Sequence, residues 1–240
     1  MRSDNRRPEE IRQITFHRNF LQHAEGSVLI ELGKTRVICS ASIEEGVPPF
    51  MRGTNRGWIT AEYGMLPRSA EMRITREATK GRISGRTHEI QRLIGRSIRS
   101  VTNLACLGEQ TVFIDCDVIQ ADGGTRTASI TGGFVALYDA LRRIGGDRLV
   151  EAGLIKDMVA GISIGVVNGQ DFTDLTYEED SRAEVDMNIV MTGSGEFIEI
   201  QGTAERAPFS RAKMEHLLEL AHQAIKEIVA RQRSALQIDI

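Results

Sequence analysis

The chain has 240 residues, of which 41% are hydrophobic and 26% charged, with a net charge of −3. That length allows one large domain or two small ones with a real core, and the composition excludes collagen-like, disordered and disulfide-framed classes. No apolar run approaches the roughly 20 residues that cross a bilayer; the opening Met1-Arg2-Ser3-Asp4-Asn5-Arg6-Arg7 lacks the apolar stretch of a secretory signal; and Cys39, Cys106 and Cys116 read as buried thiols of a reducing compartment.

In chain order, residues 28–32 and 36–43 are strand-like, and Gly33-Lys34 between them predicts a hairpin turn. Residues 58–63 form a further short strand. Residues 66–81 are polar and Arg-rich without a sustained period, which predicts a long functional or interface loop. Ile83, Ile90, Leu93, Ile94, Ile98 and Val101 recur at helical spacing, so 84–101 is expected to be an amphipathic helix. Over 111–121, Val112, Ile114, Cys116 and Val118 face one way, and Phe113, Asp115 and Asp117 the other. A helix should follow Gly123-Gly124 and run to about residue 144, burying Ile130, Phe134, Leu137 and Leu141. Residues 158–167 are β-branched and predict a strand; 184–191 and 196–202 predict a hairpin around Gly193-Ser194-Gly195; and Ser210 should cap a long C-terminal helix.

Hairpins alternating with helices indicate an α+β protein with mixed sheets, not a doubly wound parallel sheet. The hairpin-then-helix pattern occurs at 28–101 and again at 184–232, which suggests a structural pseudo-repeat. No linker divides the chain, so a single domain over 1–240 is expected.

Charge is unevenly placed. Residues 52–99 hold eleven basic against four acidic residues, a local net of +7, and residues 171–205 hold ten acidic residues against Arg182, a local net of −9. A basic surface for a polyanion and an acidic cluster able to hold a metal account for this, as do two complementary faces meeting between subunits. Gly33-Lys34-Thr35 resembles the end of a phosphate loop, but Val28 stands where that motif needs glycine. His88-Glu89 does not begin a zinc-protease helix, because Arg92 occupies the second ligand position.

Three features carry chemistry. The first is Asp122-Gly123-Gly124-Thr125-Arg126-Thr127, which passes from strand to helix. The first turn of a helix leaves N–H groups unpaired, the helix dipole favours an anion there, and glycine permits close approach. Thr125 and Thr127 offer hydroxyls, and Arg126 a two-pronged grip on phosphate oxygens. A plain helix cap by Thr125 or Thr127 is the simpler alternative. The second is the pair Asp180 and Asp186, two carboxylates suited to Mg2+. Six residues of straight strand would span about 20 Å, so the chain must bend near residues 181–183 if the pair is to share an ion; otherwise this is a solvated acidic loop. The third is Arg86 together with Arg92, Arg96 and Arg99, whose last three members form one helical stripe suited to a phosphate backbone, or to a solvated face or an ion-pair row.

Read together, these features resemble the ribonuclease PH family, the phosphate-dependent 3′ exoribonucleases of bacteria. The resemblance also rests on Gly33-Lys34-Thr35-Arg36-Val37-Ile38-Cys39, Gly57-Trp58-Ile59-Thr60-Ala61-Glu62-Tyr63, Met65-Leu66-Pro67-Arg68 and Gly85-Arg86-Thr87-His88-Glu89-Ile90-Gln91-Arg92-Leu93-Ile94-Gly95-Arg96, and covers nearly the whole chain. It departs at Gln13, where a proline is expected after Arg12. It implies the two-layer βαβ fold of the ribosomal protein S5 domain 2-like type. It implies a tRNA nucleotidyltransferase that uses inorganic phosphate to remove 3′-terminal nucleotides from transfer RNA precursors, and ribosomal RNA, as nucleoside diphosphates. The phosphate would lie on Arg86, Gly124, Thr125 and Arg126. Asp180 and Asp186 would hold a divalent cation, Mg2+, and with Arg126 form the catalytic group. Either Asp could also protonate the leaving 3′ oxygen. Arg92, Arg96 and Arg99 would contact RNA. A homo-hexamer, a trimer of dimers, in the cytoplasm is implied. Separately, the arginine density of the 66–81 loop, with Arg68, Arg73 and Arg76 and no helical period, suggests that this loop helps to build the ring.

Other classes share parts of this pattern. A non-catalytic ring subunit would have the fold without needing the phosphate site; here Arg86, Thr125, Arg126, Asp180 and Asp186 are all present. A plain RNA-binding module would need more stacking aromatics than a chain with one Trp supplies. Hydrolysis instead of phosphorolysis would yield nucleoside monophosphates.

Overall fold

The computed structural model describes residues 2–146, 149 and 152–238. Three antiparallel strands open the chain: β1 (Ile14–Arg18), β2 (Gly26–Leu32) and β3 (Thr35–Glu45), with the β2–β3 turn at Gly33 in the left-handed region. A 3-10 turn (Pro49–Met51) leads to β4 (Trp58–Met65). The basic segment that follows is not wholly irregular: α1 (Glu77–Lys80) is a single turn, ended by Gly81 at φ 71°. Next come α2 (Gly85–Ser100), β5 (Gln110–Gln120) and α3 (Thr125–Gly145). The second half holds β6 (Val159–Val167), β7 (Gln170–Thr173), α4 (Tyr177–Asp180), β8 (Val185–Thr192), β9 (Phe197–Ala204) and α5 (Arg211–Leu236).

The strands form two sheets. One has the order β1-β2-β3-β5-β4, antiparallel except where β4 runs parallel to β5 with α2 as the crossover. The other is antiparallel throughout, in the order β7-β6-β8-β9. The architecture is the mixed α+β one expected. β1, β7, α1 and α4 were not foreseen: each has five residues or fewer, too few for a period to register.

α3 is the keystone. Residues 127–141 are buried, so this helix is covered on all sides and packs against both sheets. A Cβ at Gly132 would fall 2.8 Å from Ile30 Cγ2 and 2.9 Å from the Cys39 sulfur, so only glycine allows the helix this close to the first sheet. On its other side, the buried Gln232 of α5 donates to the carbonyls of Thr131 and Val159 at 3.0 Å each. One continuous core joins both sheets through α3.

The helix ends follow the sequence signals. Ser84 caps α2, accepting from Thr87 N–H at 3.1 Å, and Ser210 caps α5, accepting from Lys213 N–H at 3.1 Å. Cys39 and Cys116 are buried opposite one another on β3 and β5, and burial pushes the Cys39 thiol up. Cys106 departs from expectation: it is exposed, on the turn after α2. Among the described residues, no helix is long and apolar enough to cross a membrane.

Candidate active site

β5 ends at Gln120, and the chain turns at Gly123 (φ 78°) and Gly124 (φ 67°) into α3. Gly124 is the N-cap and makes no side-chain cap hydrogen bond. Neither threonine caps the helix. Thr127 is buried and donates back to the Gly124 carbonyl at 2.9 Å, so it faces inward. The Thr125 hydroxyl lies 2.9 Å from the Tyr63 hydroxyl of β4. Among the described residues, the N–H groups of Thr125, Arg126 and Thr127 have no protein acceptor. The helix start therefore presents unpaired donors and its positive dipole end together.

Arg126 is mostly buried, with 16% of its side chain exposed. Its Nη1 donates to Gln201 Oε1 at 2.7 Å and lies 3.8 Å from Glu89 Oε1; Gln201 Nε2 in turn donates to Glu89 Oε1 at 2.6 Å. β9 and α2 thus brace the guanidinium from outside.

The acidic arm approaches from the second sheet. Thr176 and Glu179 form a capping box that starts α4, and Asp180 ends it. The chain then turns at Ser181 and Arg182 before β8 begins at Val185. That bend is the one the carboxylate pair requires. Asp186 lies on β8, opposite Gly165 on one side and Thr203 on the other. Burial, then the charge of Asp180, push the Asp186 carboxyl up to about 6, while Arg126 and Arg86 pull it down. Burial also raises Asp180, opposed first by Arg86 and then by Arg126, with the carboxylate of Glu205 adding to the rise. Tyr63 is raised by burial and lowered by its bond to Thr125 and by the charges of Arg86 and Arg126. Arg86, Thr125, Arg126, Asp180 and Asp186 therefore converge on one electrostatic neighbourhood drawn from α2, α3, α4 and β8.

The Arg stripe divides. Arg92 and Arg96 are exposed on α2, Arg96 bonding Glu199 at 2.8 Å. Arg99 is a correction to the expected uniform stripe. Its guanidinium lies 4.4 Å from the Trp58 ring centre and donates to the Ile59 carbonyl at 2.8 Å, so it is half-buried against the sheet.

Tyr63, Gln201, Glu205 and Arg12 join the site without being singled out by local pattern. Tyr63 closes the Gly57-Trp58-Ile59-Thr60-Ala61-Glu62-Tyr63 stretch, and the Thr176-to-Glu179 spacing is a legible capping signal. Gln201 and Arg12 carried none, because their partners are distant in sequence.

The pattern of the 3′ exoribonuclease family, domain 1, matches residues 10–143, and that of its domain 2 matches residues 157–224. The chain belongs to this family. It is 57% identical over 237 residues to the ribonuclease PH of Bacillus mycoides (strain KBAB4), covering 98% of this chain and 97% of that one. It is 56% identical over the same length to the ribonuclease PH of Bacillus cereus (strain AH187), with the same coverage. Its fold is shared with rice (Oryza sativa) Rrp46 at a TM-score of 0.77 and 20% identity, over 98% of this chain and all of that one. It is shared too with a chain of the Archaeoglobus fulgidus exosome with RNA bound to the active site, at 0.78 and 21% identity, over 95% of this chain and 91% of that one. This member of the 3′ exoribonuclease family is a tRNA nucleotidyltransferase, a phosphorolytic enzyme that processes transfer RNA precursors with inorganic phosphate.

Proposed function

We propose that the attacking phosphate sits at the start of α3, held by the N–H groups at Gly124–Arg126, the Thr125 hydroxyl and the guanidinium groups of Arg126 and Arg86. The observation that carries this is the uncapped, glycine-led start of α3, whose second residue is Arg126. A phosphate oxygen attacks the phosphorus of the last phosphodiester; the bond to the penultimate 3′ oxygen breaks, that oxygen takes a proton, and a nucleoside diphosphate leaves. The nucleophile brings its own charge, so the obstacle is repulsion between two phosphates, which Arg86 and Arg126 offset.

Asp180 and Asp186 are the residues that would hold a divalent cation. They fit one: among the described residues Asp186 Oδ1 is buried without a hydrogen-bond partner, and burial followed by the charge of Asp180 makes the Asp186 carboxylate costly to ionise. Among the described residues no three acidic, His or Cys side chains cluster for a metal, so the ion would keep several waters, as Mg2+ does. When bound, it would supply positive charge beside the reacting phosphates.

Arg92 and Arg96 are the residues offered for RNA backbone contact. The chain is read as one catalytic unit over 1–240, supported by its continuous core. We assign it to the cytoplasm and to a homo-hexamer, a trimer of dimers, built in part by the 66–81 loop, where Arg68, Arg73 and Arg76 are exposed with Met72 81% exposed between them. Ribosomal RNA is a further expected substrate.

The test is incubation of the protein with 3′-labelled RNA, with and without phosphate. Diphosphates formed only with phosphate support this assignment. Monophosphates, or no product, reject it.

A further inference from the structure

We propose that Arg12 and Thr35 are positioning residues for phosphate: they hold the carbonyls of the Gly123–Gly124 turn on one side, so that its N–H groups face the anion on the other. This rests on the reading of the α3 start as the phosphate seat.

Thr35 sits in the Gly-Lys-Thr hairpin, a motif that has no nucleotide to bind. It is wholly buried, donates to the Gly123 carbonyl at 2.7 Å and accepts from the Asp122 N–H at 2.9 Å. Arg12 is equally withdrawn, with 4% of its side chain exposed. Its Nη1 donates to the Asp122 carbonyl and its Nη2 to the Gly123 carbonyl at 3.4 Å. The same guanidinium is gripped by Asp174, itself 0% exposed, at 2.6 and 2.9 Å, and Nη2 donates to the Leu175 carbonyl at 3.2 Å.

A peptide group is planar, with C=O and N–H pointing in opposite directions. Pinning the Asp122 and Gly123 carbonyls onto Arg12 and Thr35 therefore turns the N–H groups of Gly123 and Gly124 the other way. A cation bonded to the carbonyl also polarises the peptide and strengthens its N–H as a donor. Arg12 reaches the Leu175 carbonyl one residue before the Thr176 cap of α4, so a single side chain sets the phosphate turn against the arm that carries Asp180.

The measurement is steady-state phosphorolysis of a 3′-tailed RNA at varied phosphate, on Arg12→Lys, Thr35→Val, Thr35→Ser and Arg126→Ala enzymes. Lysine keeps the charge of Arg12 but cannot fork across two carbonyls; valine keeps the shape of Thr35 without the hydroxyl. Misaimed donors should raise the phosphate KM roughly ten- to a hundredfold in Arg12→Lys and Thr35→Val. The RNA KM should stay near wild type, and Thr35→Ser should restore phosphate affinity. If Arg126→Ala raises the phosphate KM while Arg12→Lys and Thr35→Val do not, even with lowered melting temperatures, the two residues are merely structural and the inference falls. If Arg126→Ala leaves the phosphate KM unchanged, the seat itself is misplaced. Should Arg12→Lys fail to fold, the Thr35 pair decides the question alone.

Discussion

Asp186 carries a carboxyl pushed up to about 6, first by its burial and then by the charge of Asp180, six residues earlier in the chain. Between them the chain leaves α4, turns at Ser181 and Arg182, and enters β8. Asp186 is partly buried and Asp180 exposed, and Arg126 and Arg86 offset part of the repulsion between the two carboxylates. Such an arrangement costs stability in the free enzyme, and a bound cation would recover it.

The sign of the pH effect follows. A carboxyl raised from 3.8 to about 6 binds more proton in the folded than in the unfolded state between those values. Its contribution to stability is therefore lost as pH rises through that window, by about 3 kcal/mol for two units at most. Asp186→Asn should gain on wild type in thermal unfolding as pH goes from 4 to 7 without metal. Adding Mg2+ at pH 7 should raise the melting temperature of wild type and not of Asp186→Asn; an equal rise in both would remove the cation from this pair.

Arg126→Ala should lower turnover far more than it weakens RNA binding, since the phosphate and not the RNA loses its ligand. Asp180→Asn should abolish turnover and leave the assembly intact by solution mass measurement. Equal loss of turnover and RNA affinity in the first, or a fully active second, counts against these roles.

Arg92→Ala and Arg96→Ala should each weaken RNA binding and flatten its salt dependence by about 0.7 in log–log slope, as expected for one lost contact to a single strand. Arg99→Ala should leave that slope unchanged and cost about 1–2 kcal/mol in urea unfolding, from its contacts with Trp58 and the Ile59 carbonyl. Salt titrations of the three variants decide between the assignments.

Gly123→Ala should be severe. The residue holds φ 78°, and a Cβ there would lie 2.4 Å from the Leu175 carbonyl oxygen. The backbone conformation alone costs an L-residue about 1–2 kcal/mol, and the clash pushes α4 away from α3. Thermal unfolding should show the loss, and residual activity should be small even where the variant stays folded.

Replacing Arg68, Arg73 and Arg76 by alanine should reduce the particle below a hexamer in solution mass measurement, with the secondary structure unchanged by circular dichroism. An unchanged hexamer would move ring building to another surface.

The sequence by itself determined the long elements and the chemical inventory. Ile90, Leu93, Ile94 and Ile98 wrote α2 by their spacing, Ser210 marked the start of α5, and Gly123-Gly124 followed by Thr125-Arg126 announced the glycine-led start of α3, because each signal lies within a few residues of its partner. It also stated a condition, that the chain must bend between Asp180 and Asp186, and the structure meets it. Tertiary structure decided what depends on distant partners. Only the packing of α2 on β4 takes Arg99 out of the stripe and lays it on Trp58. Only the docking of the N-terminal segment at the end of β7, the edge strand of the second sheet, brings Arg12 to Asp174 and to the turn, 162 and about 110 residues away. A periodic pattern reports which face of an element is buried; it carries no record of what that face, or the buried arginine beneath it, will meet.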